Sequence, residues 1–465
     1  MSEIVEPQPS QHVCDWAAGS GGLLLQCRNY VERHYGKKDS ERLFFYMQES
    51  NPSTANISRI NMYLHGVRGF HQAPPSDSLR TPYFREGQTK RLRQFDRIVM
   101  NPPFSLEEWG YDDFIGGDSY DRFGFGTPPR DNGDYAWLLQ VVKSLKATGK
   151  AIVVMSQGVL FRGQPAQTER EDGRNQKADS EYTIREAFVK ADLIESIIIL
   201  PSKLFYGNNV PGCLVVLSKR KASERKGKIL LVWASRDYQA SNPQNLLRRV
   251  DCMRVLAVWK AFGHLERCKA TIPAGEAAFL REVEKEHAAR LQEIEDAYAP
   301  DLITLAALRK KLEELELLSG SPAPQDKKEK AKHREQKKLI TEKAKQVKRE
   351  IKRLGKLELE AEQLKVAARD EYGGEQRLIK ETAANMLDIC SNTEEARRHF
   401  AVVDVCELAS NDFNLNVPRY VDTPDVDAPI PLSQAAPSFK SLADNFEFGT
   451  KSLMQVLGAS LSNER

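Results

Sequence analysis

Four residues, Asn101-Pro102-Pro103-Phe104, follow the apolar run FDRIVM, which predicts a buried strand. Neither proline has an N–H to donate, so strand pairing must end here and the chain must continue as a stiff loop. Such a loop holds an amide, a backbone carbonyl and an aromatic ring in fixed positions. These are groups that can activate a planar amine.

An exocyclic amine is a poor nucleophile because its lone pair is delocalised into the ring. The Asn101 side-chain carbonyl and the Pro102 backbone carbonyl can each accept one of its N–H groups. That turns the nitrogen toward tetrahedral geometry and directs its lone pair at a methyl donor. The ring of Phe104 can stack on a base and set its plane. The alternative is a stiff loop without chemistry.

Segments upstream of this loop favour the chemical interpretation. The run HVCDW leads into a turn containing Gly19, Ser20 and Gly21, and such a turn brings backbone N–H groups and a helix N-terminus close to a ligand. Its spacing differs from the dinucleotide pattern GxGxxG. Glu49 ends the second predicted strand, where a carboxylate can accept from ribose hydroxyls or cap a helix. Asp77, past the next strand, can accept from an adenine amine or form a turn.

The first half of the chain alternates strand-like and helix-like segments, which predicts an α/β fold with a doubly wound, mostly parallel sheet covered by helices. Predicted helices include STANISRINMYLHG and AWLLQVVKSLKATG, the second ending at its glycine. The predicted strands are HVCDW, RLFFYMQE, FDRIVM, KAIVVMS, LIESIIILP, CLVVLSKR and KILLVWAS.

Near residue 277 the composition changes, and the sequence becomes rich in Glu, Lys, Leu and Ala. Apolar residues at three- and four-residue spacing predict two long helices folded back through SGSPAPQD, an antiparallel coiled-coil hairpin over 277–385. The basic stretch 327–356 in it can serve as a solvated face, a contact to DNA phosphates or a docking surface for another subunit. We favour a subunit-docking arm with some phosphate contact. The residues of the apolar pattern are Leu302, Leu305, Leu308, Leu312, Leu315, Val347, Ile351, Leu354 and Leu364.

The whole chain fits a soluble protein with two or three domains. We predict an α/β domain at 1–270, the helical hairpin at 277–385, and at 386–465 an irregular C-terminal segment with a linker that contacts another subunit. The net charge of +3 does not define a partner. Seven scattered cysteines without a CxxC or Cys/His cluster predict no metal site and a reducing cytoplasm. No apolar run is long enough to span a bilayer, and no leader pattern precedes the first strand.

Taken together, the ordered segments resemble S-adenosylmethionine-dependent adenine-N6 DNA methyltransferases, and among them the modification subunit of type I restriction–modification systems. The resemblance covers most of residues 12–270 and resumes at about 400–423. The segments that carry it are DWAAGSGGLL, FYMQESNPSTANISRINMYLHGV, SDSL, FDRIVMNPPF, SQGVLFRG, ESIIILPSKLFYGNNVPGCLVVLSK and NDFNLNVPRYVDT.

The resemblance implies S-adenosylmethionine as cofactor and DNA as substrate, with Glu49 on the ribose and Asp77 on the cofactor's adenine. It implies as further partners a specificity subunit, a second copy of the modification subunit and a translocating restriction subunit. The implied cofactor-binding residues are Asp15, Ala17, Gly19, Ser20, Gly21, Glu49 and Asp77. The implied catalytic residues are Asn101, Pro102, Pro103 and Phe104, with Phe205 and Tyr206 cradling the target base.

The chain departs from the family pattern at two places. Trp16 and Ala18 stand where the family usually has Pro and Cys, and Trp16 is bulky enough to crowd the turn. Only a short polar lead precedes Asp15, where the family carries a helical domain that closes over the cofactor, so we expect that domain to be absent. A non-catalytic scaffold subunit needing a separate N-terminal domain is therefore an alternative, as is an RNA or protein-glutamine N-methyltransferase.

Overall fold

Nine strands form one sheet in the part of the chain that the computed structural model describes, which is residues 1–166, 177–205, 210–322 and 327–422. The strands are β1 His12–Asp15, β2 Phe44–Met47, β3 Phe70–Gln72, β4 Phe95–Met100, β5 Leu145–Ser156, β6 Ile194–Ile199, β7 Gly212–Ser218, β8 Lys228–Trp233 and β9 Phe400–Asp404. Their order across the sheet is β3-β2-β1-β4-β5-β7-β6-β8-β9.

The sheet is mostly parallel, as predicted. Strands β1 to β5 pair in parallel, β7 runs antiparallel between β5 and β6, and β9 is antiparallel to β8. From β1 the chain builds outward through β2 and β3 on one side and through β4 and β5 on the other. The order therefore reverses between β1 and β4, which is where open α/β sheets bind ligands at their carboxyl edge.

Helices flank this sheet, and its central strands are buried. Every residue of β6 and β7 is buried, which matches the near-continuous apolar runs of both segments. The α-helices of the described residues are α1 Ser2–Val5, α2 Gly22–Tyr35, α3 Lys37–Ser40, α4 Pro52–Leu64, α5 Asp134–Lys143, α6 Ser180–Lys190, α7 Arg249–Ala261, α8 Leu265–Ser319, α9 Lys327–Ser391, α10 Thr393–Arg397 and α11 Val405–Ser410.

One predicted helix ends earlier than expected. The segment AWLLQVVKSLKATG was predicted to stay helical up to its glycine, but α5 ends at Lys143 and β5 begins at Leu145. The side chain of Leu145 is fully buried, and this residue pairs with Phe95 at the start of β4. Pairing within the sheet thus overrides the predicted helical pattern of residues 145–149.

Strand β9 was not predicted, because its five residues lie in a tail that reads as irregular. It pairs with β8 along its whole length, from Lys228 opposite Asp404 to Val232 opposite Phe400. The chain therefore returns to the sheet after the long helices. The division at 270, 277 and 385 stays a prediction.

Helices α8 and α9 form the predicted antiparallel hairpin. Ion pairs join Glu295 to Lys365 and Glu316 to Lys348, so residues later in α8 face residues earlier in α9. At its root, the hairpin packs on α7 through a buried apolar cluster. Its seam includes the buried Leu305, Val347 and Leu354.

The prediction that Leu364 lies in the seam is wrong. Leu364 is 42% exposed, and Ala361 and Ala368 are buried instead. These alanines continue the seven-residue spacing of Val347 and Leu354. Their small side chains allow the two helices to approach closely.

None of the helices among the described residues is both long and apolar enough to cross a membrane.

We expect Leu354→Ala to lower the free energy of unfolding of the hairpin by about 2–3 kcal/mol, because it removes a fully buried side chain from the seam. Leu364→Ala is the matched control and should cost less than about 0.5 kcal/mol. Urea unfolding followed by the helical circular dichroism signal measures both. Equal losses for the two variants would contradict the seam described here.

Candidate active site

The pairing of β1 with β4 places two of the predicted segments side by side. Cys14 pairs with Ile98 in parallel register, Asp15 follows Cys14, and Asn101 lies three residues beyond Ile98. At about 3.3 Å rise per residue and about 4.8 Å between strands, the backbones of Asp15 and Asn101 are within about 10 Å. The glycine turn and the Asn-Pro-Pro-Phe loop therefore share one edge of the sheet.

The turn after β1 is held by its own backbone and by Asp15. The Ala17 N–H donates to Asp15 Oδ1 (3.0 Å), and the Ala18 N–H donates to the Gln48 carbonyl (3.0 Å) at the end of β2. Gly21 has φ of 80° just before α2, and a Cβ there would lie 3.2 Å from Met62 Cε. A side chain at this position is disfavoured both by conformation and by space.

Glu49 lies beyond the end of β2 and reaches back to the glycine turn. The Gly19 N–H donates to Glu49 Oε2 (2.9 Å), and Oε1 accepts from the Asn51 N–H (2.9 Å). The structure thus brings Glu49 and the glycine turn together, and the ribose-binding role of Glu49 stays a prediction. Ser20 is exposed on the same turn, where its carbonyl accepts from the Asn61 side chain (3.0 Å).

Asp15 is a buried carboxylate with one oxygen that lacks a partner among the described residues. Oδ2 has no hydrogen bond, while Oδ1 has the one from Ala17. Burial raises the pKa of Asp15 to about 7, the Ala17 hydrogen bond opposes this, and the nearby Glu49 adds to it. A carboxylate with this environment is a typical position for a polar or cationic ligand group.

Trp16 does not crowd the glycine turn as we expected, because its side chain is fully buried in the core. The indole N–H donates to Ser144 Oγ (3.0 Å), and the ring packs against Phe84 and Phe95. The departure from the family pattern is thus accommodated beneath the turn.

Asp77 lies past β3 in a turn that it stabilises itself. Its Oδ1 accepts from the N–H groups of Leu79 (2.8 Å) and Arg80 (3.2 Å). The neighbouring Ser78 hydroxyl donates to the Trp16 carbonyl (2.5 Å), which ties this loop to the glycine turn. The turn-forming alternative is therefore present in the geometry, and Oδ1 is already occupied by it.

The Asn-Pro-Pro-Phe loop exposes Asn101 and Pro103, whereas Pro102 is buried and Phe104 is half-buried. The ring of Phe104 contacts that of Phe205 edge-on, with centroids 5.7 Å apart and an interplanar angle of 81°. The predicted aromatic residues thus meet at this edge, except that Tyr206 lies outside the described residues.

Glycine at position 212 makes room for this ring pair. A Cβ on Gly212 would lie 3.2 Å from Phe205 Cε2 and 3.6 Å from Phe104 Cζ. Gly212 is the first residue of β7 and pairs with Ser156, the last residue of β5. The antiparallel β7 therefore starts at the same edge where β4 and β5 end.

A buried carboxylate, Asp134, anchors the loop from below. Its Oδ1 accepts from the Ser105 N–H (2.7 Å), directly after Phe104, where the backbone takes the left-handed φ of 50°. Its Oδ2 accepts from the Ser156 hydroxyl (2.8 Å) and from Arg162 Nη2 (2.6 Å). One side chain thus joins the loop after β4 to the end of β5.

Arg162 completes this network by binding a second carboxylate. Its Nε donates to Glu181 Oε2 (2.8 Å) and its Nη2 to Glu181 Oε1 (2.9 Å). Burial alone would lower the pKa of the Arg162 guanidinium, yet the hydrogen bonds that it donates to Glu181 and Asp134 raise that pKa. The loop therefore rests on a cluster in which Arg162 forms ion pairs with both Asp134 and Glu181.

The sequence did not indicate Asp134, Arg162 or Glu181. Asp134 stands two residues before the predicted helix AWLLQVV, a position that is typical of an ordinary helix-start acid. Arg162 lies in SQGVLFRG, which carried the family resemblance without an assigned role. No group of His, Cys, Asp and Glu in the described ranges has the arrangement of a metal site.

The reversal of strand order at β1 and β4, with a glycine turn on one strand and the Asn-Pro-Pro-Phe loop on the other, defines a Rossmann-like methyltransferase domain. A sequence model of the N-6 DNA Methylase family matches residues 1–296. The chain belongs to this family, which confirms the resemblance found in the sequence.

Curated relatives match about half of the chain. The type I restriction enzyme MjaVIII methylase subunit of Methanocaldococcus jannaschii is 30% identical over 56% of this chain and 42% of its own length. The HindI methylase subunit of Haemophilus influenzae is 29% identical over 50% of this chain and 46% of its own. The chain thus spans less than half the length of these relatives.

One solved structure is similar over a comparable share of the chain. The type I restriction-modification system methyltransferase subunit of Streptococcus thermophilus is 28% identical over 56% of this chain and 51% of that one, with a TM-score of 0.47.

We expect Asp134→Asn to lower the melting temperature by several degrees. It leaves Arg162 without one of its two carboxylates and gives Ser105 and Ser156 a poorer acceptor, at a cost of at least about 2 kcal/mol. Amide exchange at Ser105 should become faster, which loss of global stability alone would not confine to this loop. The exposed Asp131→Asn is the control. An unchanged Ser105 exchange rate would show that Asp134 does not hold the loop.

We expect Asp15→Asn to stabilise the protein increasingly as pH rises. The folded pKa of about 7 exceeds the ordinary 3.8, so the folded state binds the extra proton and wild-type stability falls between these values. The gap in free energy of unfolding should grow by about 2–3 kcal/mol from about pH 5 to pH 7. Melting temperatures at both pH values measure it. The exposed Asp388→Asn should show no such trend, and a constant gap for Asp15→Asn would refute the burial argument.

Proposed function

We propose that this chain transfers a methyl group from S-adenosylmethionine to adenine N6 in DNA, as the modification subunit of a type I restriction–modification complex. The observation that carries this is the parallel pairing of β1 with β4. It puts a glycine turn suited to the cofactor and a loop suited to an amine at one edge, next to each other. Membership of the N-6 DNA Methylase family supports the choice of adenine N6.

The residues at the β1 edge fit the cofactor. Asp15 Oδ2 is a buried acceptor lacking a partner among the described residues, which suits the ammonium group of the methionine part. Gly19 has open space where a side chain would stand, so the cofactor's chain can pass close to the backbone. Glu49, held against this turn, is the acceptor for the ribose hydroxyls. The turn of Ala17, Ser20 and Gly21 completes the binding surface.

Asp77 takes the adenine of the cofactor in this scheme through Oδ2, because Oδ1 is occupied by its own turn. Oδ2 lies 3.7 Å from Arg80 Nε, an exposed and therefore weak ion pair. Rotation of the Arg80 side chain leaves this oxygen available to an exocyclic amine.

S-adenosylmethionine supplies an electrophilic methyl group on its sulfonium sulfur when bound. The chain's part is to prepare the amine. Asn101 Oδ1 and the Pro102 carbonyl each accept one N–H of the target adenine, which localises the nitrogen lone pair. Pro103 keeps the loop stiff and offers no competing N–H. No strong base is required, since the amine proton becomes acidic as the new bond forms.

The target base must leave the duplex to reach this edge, and aromatic side chains hold it there. Phe104 is half-buried with Phe205 against one side of its ring, so it keeps one orientation. Its remaining surface serves as the stacking plane for adenine. Phe205 supports that ring, and Tyr206 is the further aromatic residue proposed for this contact.

The partners follow from the proposed complex. A specificity subunit reads the DNA sequence, a second modification subunit completes the methyltransferase, and a translocating restriction subunit adds cleavage. The seven cysteines are free thiols, as suits the reducing cytoplasm proposed for this assembly.

Calorimetric titration of S-adenosylmethionine, paired with an N6-methylation assay in the presence of the specificity subunit, tests the proposal. Asn101→Ala should bind the cofactor normally and lose methyl transfer at least about 100-fold, because the amine loses one of two acceptors. Phe104→Ala should weaken transfer through loss of base stacking, by about 1–3 kcal/mol. Asn29→Ala on α2 is the matched amide control and should behave like wild type.

Two results would oppose the proposal. Absence of cofactor binding by the wild-type chain would favour the scaffold alternative. Methylation of RNA or of a protein glutamine, without methylation of DNA, would move the same amine chemistry to another substrate.

A further inference from the structure

The stretch 327–356 of α9, here called the basic arm, concentrates the positive charge of the chain. It has 14 lysine and arginine residues and four glutamates, which gives a net charge of +10. Because the whole chain has +3, the remaining residues together carry −7. The stretch 301–319 of α8 has a net charge of −1 and so does not neutralise the basic arm.

The positive charges of the basic arm face solvent. Every lysine and arginine from Lys330 to Lys356 is exposed, whereas Val347 and Leu354 are buried against α8. Among these described side chains, only Lys348 and Arg353 form ion pairs, with Glu316 and Glu350. The other lysine and arginine side chains from Lys330 to Lys356 have no ion pair among the described residues.

Six of these cations follow the face of α9 opposite the buried seam. At 100° per residue they fall on one side of the helix, interrupted by Glu342 alone. From first to last they cover about 33 Å, which is close to one turn of B-form DNA. We call this set the outer stripe; it consists of Arg334, Lys338, Lys345, Arg349, Lys352 and Lys356.

The chemistry of the basic arm favours phosphate over other partners. It is rich in lysine and contains no Phe, Trp or Tyr, whereas packed protein interfaces are depleted in lysine and enriched in aromatic residues. A helix that lies on a membrane needs an exposed apolar face. Here, Val347 and Leu354 are buried, and Leu339 is the single large apolar side chain of the basic arm that is exposed among the described residues. Counterion release from nucleic acid needs neither feature.

The root of the hairpin packs against α7. Met253 of α7, Ile272 of α8 and Met386 of α9 lie in one buried cluster. The basic arm is therefore carried on a fixed base rather than on a loose linker.

We propose that the outer stripe binds the phosphate backbone of DNA over about one helical turn, independently of sequence. The choice of DNA as the polyanion rests on the proposed function. This contact adds affinity and salt dependence to DNA binding, while base recognition and methyl transfer occur elsewhere in the complex.

Fluorescence anisotropy with the full chain and a labelled duplex of about three helical turns tests this, between about 50 and 200 mM salt. The variant replaces Arg334, Lys338, Lys345 and Arg349 with Gln. Its plot of log affinity against log salt should be less steep by about 3–4, with affinity near 100 mM salt reduced at least about tenfold. Circular dichroism should show unchanged helicity, because all four side chains are exposed.

The matched control removes the same charge near the root of the hairpin, by replacing the exposed Arg281, Lys285, Arg377 and Lys380 with Gln. Its slope should change by less than about 1. Equal changes in both variants would mean that net charge acts without a defined contact, and would overturn the proposal.

Two further outcomes separate this inference from the proposed function. Asn101→Ala should lose methylation but keep the wild-type salt slope of DNA binding. That result would support the outer stripe, because it separates DNA binding by the basic arm from catalysis. An unchanged slope in the arm variant, with loss of co-purification of the specificity subunit, would assign the basic arm to protein docking and overturn the DNA contact.

Discussion

Parallel pairing of β1 with β4 is the constraint on which the site depends. The register Cys14 opposite Ile98 fixes how far each strand extends toward the carboxyl edge, and so fixes Asp15 relative to Asn101. Since a shift of one residue would turn every side chain of a strand to the opposite face, the buried Cys14 and Ile98 specify this register strongly. The glycine turn and the Asn-Pro-Pro-Phe loop are thereby positioned by the packing of β1 and β4 in the core.

Two buried carboxylates at this edge are in opposite electrostatic situations. Asp134 is saturated by Ser105, Ser156 and Arg162, so its charge stiffens the loop. Asp15 has one oxygen without a partner among the described residues and a pKa raised to about 7 by burial. Leaving a group unsatisfied costs stability, and such costs are concentrated where a ligand supplies the missing contact. The contrast distinguishes an acid with a structural role, Asp134, from Asp15, the acid that we propose binds the cofactor.

Most strands and the loop after β4 could be predicted because their information is local: apolar runs, glycines, adjacent prolines. What could not be predicted depends on pairing between distant residues. Strand β9 is defined by β8, more than 160 residues earlier. Leu145 looked helical but is fixed by Phe95. Asp134 looked like a helix-start acid, and its partners Ser105 and Ser156 become visible only once β4 and β5 are adjacent.

The position of β9 also gives the hairpin a modular character. Neighbouring strands β8 and β9 hold the two ends of the intervening chain, and Glu295 and Lys365 remain in contact farther out. If whole seven-residue repeats are inserted into or deleted from both helices beyond that contact, the apolar residues of the seam still face each other. Such a change does not alter the sheet. The reach of the hairpin is thus a length that mutation can adjust without cost to the fold, much as a linker is adjusted, but with a rigid element.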